Sequence, residues 1–259
     1  MRAFDYVEPK TLDEAVAALA EGPGPVRALA GGTDLLVRLK RDPAFAARVV
    51  NLKRIVALRG ILAEESGTSI GALTTIAELA ASPEIVQRHP LLVEAALQMA
   101  SPQVRHLATL GGNLANASPA ADMAPPLLCL DAVAHVTGPS GSRTLALAEF
   151  FLGPGRNALA PGEILTRIFV PAVAGRGVYL KFSPRAAMDL AIVGVACFAV
   201  GNERRVALGA VAPTPIRVPA DPTEAARRAQ PIDDLRASAE YRRAMISVLV
   251  RRALERVAS

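Results

Sequence analysis

Two stretches decide the reading of this chain: Ala28-Leu29-Ala30-Gly31-Gly32-Thr33-Asp34-Leu35, and Thr109-Leu110-Gly111-Gly112-Asn113-Leu114-Ala115-Asn116-Ala117-Ser118-Pro119-Ala120-Ala121-Asp122. The first lies between an apolar run at 26–30, which reads as a buried strand, and Leu35, Leu36 and Leu39, which share one helical face. A helix start offers unpaired N–H groups at its positive dipole end. Glycine, with no Cβ, lets those amides approach a ligand, and a phosphate fits there. Thr33 adds a hydroxyl donor. Asp34 opposes an anion by charge and is a candidate N-cap for the helix that follows. An ordinary tight turn satisfies the same residues, and from this stretch alone the two readings stand level. The second stretch, 109–119, reads as a loop of small and hydrogen-bonding residues, a kind that often carries function. Two such loops can grip a diphosphate from both sides. Their spacing points to a nucleotide without saying which.

Working outward, residues 11–20 read as a helix, with Thr11 and Glu14 at capping-box spacing. Gly22-Pro23-Gly24-Pro25 breaks it, and 49–52 reads as a strand. The first 55 residues thus form a small helix–strand–helix–strand unit. A hairpin is expected at 61–63 and 68–72, then helices at 76–81, 84–88 and 91–100. Pro125-Pro126 suits the first turn of a short helix. Strands follow at 133–137, 144–146 and 165–170, and 171–177 resembles a linker. Beyond it, 178–182, 190–200 and 206–211 read as three strands, with a turn at Gly201-Asn202. A closing helix spans 239–257, with Met245, Leu249 and Leu254 on one face and its arginines read as a solvated face.

The 259 residues are 51% hydrophobic, enough for a sizeable core. Lys and Arg number 29 against 24 Asp and Glu, a formal charge of +5. The excess is scattered, without the clustered basic face that nucleic-acid binding needs. Cys129 and Cys197 stand apart in apolar runs, so neither a zinc site nor an iron–sulfur cluster is expected in this chain. His89, His106 and His135 read as structural or surface residues rather than ligands or bases. No phosphate loop of the GxxxxGK[ST] type, GxGxxG, HExxH or GxSxG motif occurs. The opening residues form no apolar signal segment, and no apolar stretch reaches the roughly 20 residues of a membrane span. A cytoplasmic protein is expected.

The pairing of Ala-Gly-Gly-Thr-Asp-Leu at 30–35 with Thr-Leu-Gly-Gly-Asn at 109–113 and Ala-Ser-Pro-Ala-Ala-Asp at 117–122 resembles the FAD-binding subunit of molybdenum hydroxylases. The family includes the medium subunit of carbon monoxide dehydrogenase and the flavin domain of xanthine dehydrogenase. The likeness extends to Phe4-Asp5-Tyr6, Pro161-Gly162-Glu163-Ile164-Leu165, Tyr179-Leu180-Lys181-Phe182, Tyr241-Arg242 and Leu249-Val250-Arg251-Arg252-Ala253-Leu254. It implies an α+β chain: a two-part FAD-binding fold of the vanillyl-alcohol oxidase/PCMH type, plus a C-terminal α/β domain with a three-stranded antiparallel sheet. The implied domains are 1–55, 56–173 and 174–259, the last covering the flavin.

By the same resemblance, Leu29, Ala30, Gly31, Gly32, Thr33, Asp34 and Leu35 wrap the FAD diphosphate. Thr109, Leu110, Gly111, Gly112 and Asn113 close on it from the middle domain. Asp122 binds a polar part of the cofactor, and Leu165 and Lys181 lie near the isoalloxazine. Some relatives carry a flavin-covering aromatic in the region of Leu190, and the benzoyl-CoA reductase branch has a cluster-binding insertion; this chain has neither. The implied role is electron relay, from iron–sulfur clusters on a partner through FAD to an external acceptor such as a quinone, NAD or oxygen. The implied partners are a large molybdopterin-binding subunit and a small 2Fe–2S subunit, in a heterotrimer or a dimer of heterotrimers. No catalytic acid, base or nucleophile is assigned. The alternatives are a self-contained flavin oxidoreductase of the same fold and a non-enzymatic nucleotide-binding subunit.

Overall fold

Strand Asp5–Val7, helix Leu12–Ala20, strand Val26–Leu29, helix Leu35–Arg41 and strand Arg48–Asn51 open the chain in alternating order. The computed structural model describes residues 4–22, 24–185 and 188–258; Pro23, part of the expected break at 22–25, lies outside them. Alternation of this kind yields parallel pairing, since a helix must carry the chain back before the next strand. Arg48–Asn51 accordingly lies between Asp5–Val7 and Val26–Leu29, parallel to both. The first helix starts on the expected capping box: Thr11 accepts from Glu14 N–H, and the Glu14 carboxylate accepts from Thr11 N–H. A cap of this kind contributes about 1 kcal/mol. Asp5–Val7 was not expected; three residues carry too little periodicity to read, and its pairing with Arg48–Asn51 includes a 2.6 Å Asp5–Arg48 ion pair.

The middle of the chain forms a five-stranded antiparallel sheet in the order Ile61–Ala63, Gly67–Gly71, Ile164–Pro171, Val133–Gly138, Gly141–Ala146. Helices Ile76–Ala81, Pro83–Arg88, Pro90–Gln98 and Ala124–Cys129 cover one face and build the largest apolar core around Ile70, Leu92, Leu127 and Ile168. Pro125 and Pro126 sit in the first turn of their helix, as expected. The stretch expected to be a loop at 109–119 begins instead as a helix, Leu110–Ala115. Two glycines lower its propensity, but Thr109 caps it by accepting from Gly112 N–H at 3.1 Å.

The C-terminal sheet has four strands rather than three, in the order Arg176–Phe182, Val193–Val200, Glu203–Gly209, Ile216–Val218, all antiparallel. The added strand is short and stands at an edge, where only one neighbour fixes it. Val193–Val200 begins after the expected start at 190 and is buried along both faces. Val193, Val195 and Cys197 pack towards helix Ala239–Ala258, while Ala196 and Phe198 join the middle core. That double cover is why the strand reads as a continuous apolar run. Arg242 departs from the solvated face expected of its helix: it is fully buried and donates to Ile192 O, Ala210 O and the Asp234 carboxylate. Among the described residues, no helix is long and apolar enough to cross a membrane.

Candidate functional site

The two Gly-Gly stretches meet in space. A Cβ on Gly31 would lie 2.1 Å from the Leu107 carbonyl oxygen, so only glycine lets this turn press against the segment that leads into Thr109. A Cβ on Gly112 would stand 3.8 Å from that of Ala30. Between them opens a cavity of about 700 Å³, within the range of roughly 300–1,000 Å³ for sites that take drug-sized ligands. Ala30, Gly31, Gly32, Thr33, Asp34, Leu35, Thr109, Gly111, Gly112, Asn113 and Leu165 stand in its wall.

The two turns, alike in sequence, present different chemistry. Among the described residues, the N–H groups of Gly31, Gly32, Thr33 and Asp34 donate to no protein acceptor. Gly32 takes φ +79°, in the left-handed region that glycine enters freely. Successive unpaired amides in a turn containing such a residue form a concavity suited to an anion. Asp34 occupies the position before its helix, but its side chain makes no capping bond, so the expected N-cap role is not observed. In the second stretch the amides are already used: Leu110 N–H donates to Thr74 O, Gly111 N–H to Ala72 O, Gly112 N–H to Thr109 Oγ1 and Asn113 N–H to Thr109 O. This stretch meets the cavity through the open face of Gly112 and the side chains of Thr109 and Asn113. The Asn113 Oδ1 is buried without a hydrogen-bond partner, an acceptor that a ligand donor would satisfy.

Four expected residues lie outside the wall. Leu29 and Leu110 are buried in apolar clusters behind the two turns. Asp122 and Lys181 are paired with each other at 3.0 Å, with side chains only 6% and 5% exposed. Burial pushes the Asp122 carboxyl up, against the charge and hydrogen bond of Lys181 and the hydrogen bond of Tyr179.

Several wall residues have no role in the reading of the sequence. Arg27 and Arg38 stand over the Phe45 ring, 4.6 and 5.5 Å from its centroid, and all three border the cavity. The turn 159–163 closes the far side. There Glu163 accepts from Ala160 N–H and pairs with Arg143, whose hydrogen bonds hold the Glu163 carboxyl below its ordinary value. Gly162 at φ +80° passes close enough to Ala20 that a Cβ would lie 3.0 Å from that residue's Cβ. The resemblance takes in residues 161–165 but gives a role only to Leu165.

A cavity between a parallel α/β unit and an antiparallel sheet unit, edged by free amides, an orphaned acceptor and small side chains, defines a nucleotide-cofactor protein. The chain belongs to the family of FAD binding domains in molybdopterin dehydrogenases, whose model matches residues 2–173. It is 37% identical over 276 residues to the carbon monoxide dehydrogenase medium chain of Hydrogenophaga pseudoflava, covering 97% of this chain and 96% of the relative. It is 38% identical over 222 residues to the xanthine dehydrogenase FAD-binding subunit of Escherichia coli O157:H7, covering 82% and 75%. A chain of reconstituted CO dehydrogenase from Oligotropha carboxidovorans superposes with a TM-score of 0.94 at 32% identity, covering 99% of this chain and 98% of that one.

The wall fits the cofactor of this family: free amides suit a diphosphate, and the orphaned Asn113 oxygen suits a donor on the ligand. Purified protein is therefore expected to carry FAD non-covalently and release it on acid or heat treatment. FMN, lacking the second phosphate and the adenosine, should bind at least ~100-fold more weakly, the equivalent of losing two or three net hydrogen bonds. Equal affinities in a titration of the stripped protein would refute the assignment of the 31–34 turn to a diphosphate.

Proposed function

We propose that this chain is the electron-relay subunit of a molybdopterin-dependent hydroxylase or dehydrogenase. It works with a large molybdopterin-binding subunit and a small 2Fe–2S subunit, as a heterotrimer or its dimer. The sheets at 5–51 and 61–171 serve as the two halves of a vanillyl-alcohol oxidase/PCMH-type FAD fold, and the unit from 174 onward covers the flavin. When bound, FAD supplies the redox chemistry that links the partner's clusters to an external acceptor. The amides of Gly31, Gly32 and Thr33 hold the diphosphate, and Thr109 and Asn113 contact it or its neighbours across the cavity. Leu29 and Leu110 support those turns from behind. Leu165 flanks the isoalloxazine end, and Lys181 sets the charge behind it.

One observation carries this reading. Among the described residues that line it, the cavity presents free amides, glycines, aliphatic, threonine and asparagine side chains and the Arg27–Phe45–Arg38 stack, with no His, Cys, Lys or Tyr to move a proton. Of its two described acids, Glu163 is tied to Arg143, and Asp34 adjoins the free-amide turn. Such a wall holds and tunes a cofactor but offers nothing to activate a substrate. Co-expression with genes for the large and small subunits, followed by size-exclusion chromatography, should give one flavin-containing complex. In that complex substrate should bleach the flavin, while the isolated chain should respond to dithionite alone. A monomer that ignores both partners and is bleached by a substrate of its own would overturn the relay.

A further inference from the structure

We propose that Tyr179 is a positioning residue, which acts on the flavin by holding Asp122 and, through it, Lys181. The proposal rests on the reading of the cavity as the FAD site. Tyr179 and Lys181 are two residues apart on strand Arg176–Phe182 and so project from the same face. Tyr179 faces the middle core, whereas Val178 and Leu180 pack on the other side. The Tyr179 hydroxyl donates to Asp122 Oδ1 at 2.8 Å, and Lys181 Nζ donates to Asp122 Oδ2 at 3.0 Å. Each carboxylate oxygen therefore has a partner inside the protein, and Asp122 links the tyrosine to the lysine.

The surroundings close this arrangement into a ring. Lys181 Nζ also donates to Gln98 O at 3.2 Å, and Gln98 Nε2 donates to Tyr179 O at 2.9 Å. Tyr179 N–H donates to a Glu94 carboxylate oxygen at 2.8 Å. On the neighbouring strand Gly194 stands opposite Lys181, and a Cβ there would lie 2.9 Å from the Tyr179 hydroxyl oxygen. The phenol is thus boxed in. Burial, then the charge of Asp122, keeps its proton on. Gln98 immediately precedes Met99, which stands in the cavity wall, so the ammonium is tied to the residue next in sequence to that wall. A buried ion pair is a poor source of net stability, but in a low-dielectric interior its field reaches a neighbouring cofactor.

The Tyr179 hydrogen bond draws charge from Asp122, leaves Lys181 less compensated and so favours the reduced, more negative flavin. Tyr179→Phe keeps the ring but removes that bond, and the flavin potential should shift negative. Asp122→Asn removes the compensating charge, and the potential should shift positive. Because the tyrosine acts through the aspartate, the double variant should match Asp122→Asn alone. The readouts are the flavin potential by dye equilibration, the FAD dissociation constant and the melting temperature of the stripped protein. If the potentials of both single variants equal the parent's, or if their shifts simply add, the positioning role is overturned. If Tyr179→Phe fails to fold, Gly194→Ala, which displaces the phenol, should give the same negative shift, and no shift there also overturns it. Failure of the parent to bind FAD would instead sink the cavity reading.

Discussion

Gly32→Val is expected to yield folded protein that has lost its flavin. Gly32 takes φ +79°, where a non-glycine residue costs about 1–2 kcal/mol and a β-branched one more. Its new side chain would also press on Leu29 and Leu36, whose Cδ1 atoms lie 3.0 and 3.3 Å from the Cβ position. Relieving that strain rotates the amides of residues 31–33 away from the cavity. Two lost hydrogen bonds to a charged phosphate, at about 1.5–3 kcal/mol each, imply a loss in FAD affinity of at least ~100-fold. Gly112→Val should act similarly, since its Cβ presses on its own cap, Thr109 Oγ1 at 2.9 Å, and otherwise meets only the Ala30 Cβ across the cavity at 3.8 Å. Gly111→Val should behave otherwise. Its Cβ would fall 2.6–3.0 Å from Ala72 atoms, two of them backbone, so packing gives way first. Flavin-to-protein ratio and far-ultraviolet circular dichroism on the same samples separate these outcomes. Gly32→Val that keeps its FAD, or that unfolds as Gly111→Val does, would leave the 31–34 turn with a structural role only.

The second large effect lies at Arg242. Its side chain is 1% exposed and ties the end helix to the root of strand Val193–Val200 through Ile192 O, to Ala210 O and to Asp234. Arg236 braces the same acid and donates to Ala191 O. Arg242→Ala strands two carbonyls, takes one of the partners of the Asp234 carboxylate and leaves a hole, so a loss of about 3–5 kcal/mol is expected. A urea melt that moves by less than 1 kcal/mol would contradict this account. The pair also sets an acid limit. Burial alone would raise the Asp234 carboxyl, but hydrogen bonds from Arg236 and the charges of Arg236 and Arg242 hold it well below the ordinary range. A depressed folded pKa contributes stability that is complete above the unfolded value of about 3.9 and is lost as pH falls towards the folded one. Asp234→Asn should therefore be less stable than the parent at neutral pH and approach it in acid.

Much of the fold was legible because its signals are local. The capping box at Thr11 and Glu14, the prolines at 125–126 and the turn at Gly201 each act within a few residues, and each stands where the pattern placed it. The cavity was legible through its glycines, since only a backbone that must approach something closely excludes a Cβ. Length misled at the strands Asp5–Val7 and Ile216–Val218, each too short to show a period. The helix Leu110–Ala115 was hidden by its glycines and depends on Thr109 and on contact with Ala72, far away in sequence.

Two further properties belonged to tertiary structure alone. Nothing in Ala-Gly-Gly-Thr or Leu-Gly-Gly-Asn says which pair of glycines keeps its amides free; Ala72 O accepts from Gly111 and Thr109 Oγ1 from Gly112, while the first pair is left open. Likewise Arg242 lies among arginines on its helix, yet its guanidinium is buried against Asp234 and two carbonyl oxygens. Chain periodicity sets which residues can share a face. Whether a polar group on that face meets solvent, a ligand or a buried partner depends on what the rest of the chain brings against it, because an unpaired polar group is costly only where water is excluded.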